Sequence, residues 1–235
     1  MSTFTPRTPH PGIVYPDSDG QPMAENTLQF QWIVTIKENL DAAFRDRPDV
    51  FVAGDLFWYP VEGDNKTRTA PDAMVAIGRP KGYRGSYMQW LEGDVPPQVV
   101  FEVLSPGNSG PEMVRKRGFY ERFGVREYYV YDPDDDTLEG WIRHGDTLEK
   151  IPDMAGWVSP LLGIRFDTST TPLTIYKPDG SRFRTFDEID RDNQALARDN
   201  QALARERDAA VRQAAESQER ARQLEARLRE LGLEP

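Results

Sequence analysis

The chain has 235 residues, of which 38% are hydrophobic and 11% aromatic, enough for a core of ordinary domain size and too apolar for wholesale disorder. Its 39 acids against 29 bases give a formal net charge of −10, and it has no cysteine and two histidines, His10 and His144. Disulfides, thiolate zinc sites, thiol nucleophiles and multi-histidine metal clusters are excluded, and no apolar run approaches a membrane span. Residues 1–17 are rich in Pro and Thr and lack an apolar signal core, so 1–24 reads as a flexible N-terminal arm and the protein as cytoplasmic.

Over 25–44, apolar residues at Leu28, Trp32, Ile33, Ile36, Leu40 and Phe44 form a helical stripe. Short β-rich runs bounded by Pro, Gly and Asp follow at 50–58, 73–77 and 99–104. A second helix is expected over 112–123: Ser109 and Glu112 stand at capping-box spacing, Pro111 lies in the first turn and Gly124 ends it. EYYVY at 127–131 reads as another strand, and 138–142, 148–151 and 173–176 suggest a smaller β extension. Helix, three strands, helix, strand is the core order of a mixed α/β domain spanning 25–186.

Composition changes near residue 187. No lysine follows Lys177 and no aromatic follows Phe186, and residues 187–235 carry 12 acids and 9 arginines. RDNQALA from Arg191 recurs unchanged from Arg198, a seven-residue repeat. With Leu196 and Leu203 at heptad position d, the a positions are Asn193, Asn200 and Arg207 early, then Ala214, Ala221 and Leu228. Two readings stand: a solvated single helix, or a coiled-coil helix through which the protein forms a homo-oligomer, at least a dimer.

Without cysteine or clustered histidine, chemistry would fall to carboxylates, and Mg²⁺ suits them because it takes one or two and keeps several waters. Asp72 stands before the apolar run AMVAI, and Glu102 lies inside the apolar run VVFEVL, where an acid is costly to bury without a partner. Glu102 is therefore either functional or half of a structural salt bridge. Asp49 also precedes a strand-like run; spacing does not choose between Asp49 and Asp72, and a turn-forming Asp is the plain alternative for both. On a helical wheel Lys116 falls between Tyr120 and Phe123, in the middle of the second helix's apolar face, with Arg115, Arg117 and Arg122 outside it. Such a lysine either meets an anion, of which Glu102 is the obvious one, or snorkels at the core's edge.

The segments T-A-P-D-A-M-V-A-I, P-P-Q-V-V-F-E-V-L-S-P-G and E-x-x-x-K-x-x-x-Y-x-x-x-G-V-x-E-Y-Y-V-Y-D-P carry a family resemblance. Over roughly residues 25–170 the chain resembles the Uma-type endonucleases, a domain-of-unknown-function family assigned to the PD-(D/E)XK restriction-nuclease superfamily. The resemblance implies a restriction-endonuclease-like core and a Mg²⁺-dependent (or Mn²⁺-dependent) endodeoxyribonuclease acting on DNA. Asp72 matches the motif's aspartate and Glu102 its second acid, holding the metal together with the Val103 backbone carbonyl. The superfamily's lysine ordinarily stands two residues after that acid, where this chain has Leu104; Lys116 matches by position a lysine moved to the following helix, where it would orient water and offset developing charge. Glu112 stands where such sequences tend to have Asp, and Gly107 where Ser is usual.

Glu25 and Asp55 are further acids that could approach the metal. A different class of function competes. The sequence pI is near 4.8, whereas a duplex binder ordinarily shows a basic footprint. The alternative is a catalytically inactive nuclease fold that serves as a binding or assembly module through its coiled coil. Lys81, Arg84, Arg115, Lys116, Arg117, Arg122 and Arg126 could still form a local basic rim.

Overall fold

A computed structural model of the chain describes residues 12–17, 20 and 24–231. Most of the expected N-terminal arm, with His10, and the last four residues lie outside the described residues. The chain divides into two compact units, through Arg184 and from Thr185 onward.

In the first unit, helix α1 (Thr27–Ala43) starts at Asn26, whose side chain accepts from the Gln29 N–H at 2.8 Å. Strand β1 (Val50–Ala53) is shorter than the sequence suggests: Gly54 and Asp55 turn the chain away, Asp55 in the left-handed region at φ 46°. The rest of that apolar run becomes strand β2 (Trp58–Tyr59), which pairs with β4 (Tyr87–Met88) in a small separate sheet. Between them in sequence lies β3 (Ala73–Ile77), followed after β4 by a 3-10 turn (Gln89–Glu92) and β5 (Val99–Val103). Helix α2 (Gly110–Arg122) then carries the chain over to β6 (Glu127–Asp132). At its start the Glu112 carboxylate reaches back to the Ser109 N–H at 3.4 Å and Pro111 sits in the first turn.

β7 (Thr137–His144) and β8 (Thr147–Lys150) follow, giving a six-stranded sheet in the order β1-β3-β5-β6-β7-β8. The expected β extension is thus mostly a continuation of the central sheet, with only β9 (Arg165–Asp167) and β10 (Thr174–Tyr176) forming a separate pair. β5 and β6 are parallel, as the α2 crossover requires, and every other pair in the sheet is antiparallel.

Alternation along the strands sorts the core into two layers. Val50, Val52, Ala73, Val75, Val99, Phe101 and Val103 face α1, where Ile33, Ile36 and Leu40 are buried. Phe51, Met74, Ala76, Val100, Tyr128 and Val130 face the other way, against Tyr120 of α2. A buried carboxylate ties the later strands to this core: Glu127 accepts from the Tyr129 hydroxyl at 2.9 Å, the Leu161 N–H at 2.8 Å and the Ser159 hydroxyl. Burial raises the Glu127 pKa despite those bonds.

The second unit is helix α3 (Phe186–Glu230), opened by a Thr185–Glu188 capping box. Among the described residues, no helix is long and apolar enough to cross a membrane.

Candidate active site

Strand register brings the two candidate acids together. β3 and β5 pair with Ala73 opposite Phe101, so one further antiparallel step sets Asp72 opposite Glu102. Both side chains fall on the α2 face of the sheet, in alternation with Ala73, Phe101 and Val103, which face α1. Asp72 Oδ2 accepts from the Val103 N–H at 2.6 Å, an anchor that binds the loop before β3 to the end of β5. Asp49 lies at the other end of β1, beside the Val50–Ile77 pair, and forms an exposed ion pair with Arg47 at 2.8 Å. The structure therefore separates the two aspartates that spacing alone could not.

Glu102 is only 2% exposed and both of its oxygens are engaged from α2. Lys116 Nζ stands 2.8 Å from Oε2, and the Tyr120 hydroxyl donates to Oε1. Residues 116 and 120 are one helical turn apart, so one face of α2 delivers both donors. Tyr120 is fully buried, and burial followed by the Glu102 charge raises its pKa well above the ordinary value, keeping it a donor.

The electrostatics of the group are lopsided. Asp72 as a residue is only partly buried, yet desolvation of its carboxyl, then the Glu102 charge, raise its pKa well above 3.8 against the opposing pull of Lys116 and the Val103 N–H. Asp55 adds to that repulsion from the Gly54–Asp55 turn, whose backbone donates from Asp55 N to the Pro71 carbonyl at 3.0 Å. Desolvation pulls the Lys116 pKa down, but the charges of Glu102 and Asp72 and the hydrogen bond to Glu102 outweigh it and leave the value raised. Lys116 is therefore held as an ammonium. The Tyr128 hydroxyl, buried and without a hydrogen-bond partner among the described residues, lies in the field of both carboxylates.

Gln29 is a site residue that the sequence reading passed over. Its side-chain amide donates to the Val103 carbonyl at 2.8 Å and accepts from the Glu25 N–H at 2.8 Å. The signal was the one used for Lys116: Gln29, Ile33, Ile36 and Leu40 share one helix face, and a polar residue on an apolar face needs a partner. Glu25 itself turns to the loop after β5, accepting from the Ser105 hydroxyl at 2.6 Å and the Gly107 N–H at 3.1 Å. A Cβ at 107 would run into the Glu25 carboxylate, so a side chain there would have to displace it.

The donor set fits a hard divalent cation. Asp72, Glu102 and the Val103 carbonyl, which has a second lone pair beyond the one used by Gln29, are all oxygen ligands at one strand end, and cation charge between the acids would relieve their repulsion. Among the described residues no cluster of three or more His, Cys, Asp or Glu could hold a metal ion, and the set here is two acids and one backbone carbonyl.

Two acids at one strand end of a mixed sheet, with an ammonium brought to them by the crossover helix, form a candidate catalytic group. The chain belongs to the Uma2 family, described as "Putative restriction endonuclease", which matches residues 9–181. It is also similar to a solved structure from Anabaena variabilis ATCC 29413, "a putative nuclease belonging to DUF820", with 15% identity and a TM-score of 0.44 over 57% of this chain and 72% of that one. No curated protein matches the chain.

Proposed function

We propose that the protein is a divalent-metal-dependent endonuclease of the cytoplasm that hydrolyses phosphodiester bonds in DNA. Asp72, Glu102 and the Val103 carbonyl hold Mg²⁺ or Mn²⁺, Lys116 is the catalytic lysine, and the tail from residue 187 joins copies of the chain. The observation that carries this reading is the register of β3 and β5, which sets two acids side by side where the Glu102 charge raises the cost of ionising Asp72.

When bound, the cation supplies Lewis-acid polarisation of a phosphate oxygen and lowers the pKa of water. The chain's own groups do the rest. Tyr120 fixes the Glu102 carboxylate from one side, so its orientation does not depend on Lys116. Gln29 holds the Val103 carbonyl in place from the α1 side while leaving it a lone pair. Lys116, with its raised pKa, is unsuited to take a proton at neutral pH. It is suited to donate: of three ammonium hydrogens one goes to Glu102, and the others can orient water and offset charge developing on the phosphate. The rim that meets DNA is narrower than composition suggests, because Lys81 pairs with Asp41 at 2.9 Å and Arg84 with Glu92 at 2.6 Å. Arg115, Arg122 and Arg126 remain exposed.

The closed Lys116–Glu102 contact favours one second reading, an idle nuclease fold that serves binding or assembly through α3. Incubating supercoiled plasmid with the full chain and Mg²⁺ or Mn²⁺ separates the two. The endonuclease reading expects nicked and linear products, lost with chelator and in Asp72→Asn. Intact plasmid under both metals, from folded wild-type protein, leaves the assembly reading.

A further inference from the structure

Helix α3 is 45 residues long and buries none of them. Its large apolar side chains nevertheless keep to one seam. Leu196, Leu203 and Leu224 fall at d and Leu228 at a, all exposed, and one residue breaks the rule: Val211, 62% exposed, at flanking position e. The other flank carries a charge gradient. Successive g positions are Asp192, Asp199, Glu206, Gln213, Arg220 and Arg227, acidic before Gln213 and basic after it.

Resting on the association of copies through the tail proposed above, we propose that α3 pairs with α3 of a second copy as an antiparallel two-stranded coiled coil, centred between Ala210 and Ala214. In an antiparallel pair, g flanks g and e flanks e across the seam. Setting Gln213 against Gln213 of the second copy places Glu206 against Arg220 and Asp199 against Arg227, each twice by symmetry. The same register stacks Leu196 on Leu228 and Ala210 on Ala214. It also sets Val211 against Val211 of the second copy, which gives the off-seam valine an apolar partner beside the small residues that let the helices approach closely.

The parallel arrangement matches less of this. Asn193 and Asn200 would each meet their own copy at a positions, which favours it. Against it, Arg207 would be stacked on Arg207 in the seam, Val211 would lie beside Glu206, and Arg220 with Glu225 would be the sole opposite-charge pair between g and e positions. Only the antiparallel register uses both the charge gradient and the valine.

The chain lacks cysteine, so one introduced residue carries one spin label. In full-length Gln194→Cys the antiparallel register puts the two labels about 36 residues apart along the helix axis, roughly 54 Å at 1.5 Å per residue. A parallel pair would bring them within about 25 Å, given helix diameters of ~10–12 Å and the reach of the labels. Charge reversal supplies the second arm. Glu206→Arg or Arg220→Glu alone should weaken dimerisation roughly ten-fold, each turning two attractive contacts repulsive, and the double variant should recover it to within about three-fold of wild type. A long label distance with recovery in the double variant supports the antiparallel pair. A short distance, no recovery, or a monomer by light scattering at the labelling concentration overturns it.

Discussion

The Lys116 ammonium stands 2.8 Å from one oxygen of Glu102 while the Tyr120 hydroxyl donates to the other, so a single face of α2 grips a carboxylate that is 98% withdrawn from solvent. Among the described residues Asp72 forms no ion pair of its own: it is held by one backbone N–H, feels Lys116 only at a distance and faces the Glu102 charge. One acid of the pair is balanced and the other is strained, which makes the two respond differently to mutation, pH and metal.

Neutralising Asp72 should stabilise the metal-free protein. Its folded-state pKa lies above the ordinary 3.8, so the folded state binds the proton more tightly than the unfolded state. The stability contributed by this group is complete below the unfolded value and is lost as pH rises through the raised folded one. Asp72→Asn can still accept from the Val103 N–H and escapes that loss. In chelator at neutral pH its Tm should exceed the wild-type value by ~2–4 °C, with the gap closing in acid, while cleavage is abolished. Differential scanning calorimetry across pH checks both signs.

Lys116→Met should act in the opposite direction. Removing the ammonium leaves a buried carboxylate with one hydroxyl donor, a change of ~3 kcal/mol in the metal-free state. Adding Glu102→Gln should recover most of it, since the remaining buried group is then neutral. Urea titration of the two variants in chelator measures the difference. With metal present the single variant should regain stability but cleave about a hundred-fold more slowly or worse.

Divalent metal should raise the Tm of wild type and leave Asp72→Ala with Glu102→Ala unmoved, because a ligand that binds only the folded state stabilises by mass action. Thermal melts in a few millimolar Mg²⁺ and, separately, Mn²⁺ give the answer.

Gly107→Ser drives a Cβ into the space of the Glu25 carboxylate. The carboxylate is the far end of a flexible side chain, so it should swing away and lose its bonds to Ser105 and Gly107. A loss of ~1 kcal/mol is expected, absent in the Glu25→Ala background, as a double-mutant cycle would show.

Much of this was legible in the sequence because it depends on periodicity. The stripe of α1, the capped start of α2 and the placing of Lys116 on the apolar face of α2 follow from 3.6-residue spacing, and the buried Glu102 from its apolar run. Three things were not. Spacing left Asp49 and Asp72 open and the resemblance alone pointed to Asp72; the physical distinction lies in strand register, a relation between residues about 30 positions apart that no local pattern encodes. The break of the 50–58 run at Gly54 was invisible because both halves are apolar, although a Cβ at 54 would press to 3.1 Å on the Asp72 carbonyl. Gln29 lies on the apolar stripe of α1 as Lys116 does on that of α2, but its partner is a backbone carbonyl, which no side-chain pattern marks.

The most direct test of the metal centre is a crystal of the wild-type chain soaked in Mn²⁺ and measured at an energy where manganese scatters anomalously. The account predicts one strong anomalous peak bound by Asp72, Glu102 and the Val103 carbonyl, with Lys116 still within reach of Glu102. Well-ordered density at this strand end with no anomalous peak, and Glu102 engaged only by Lys116 and Tyr120 as in the metal-free chain, would contradict it.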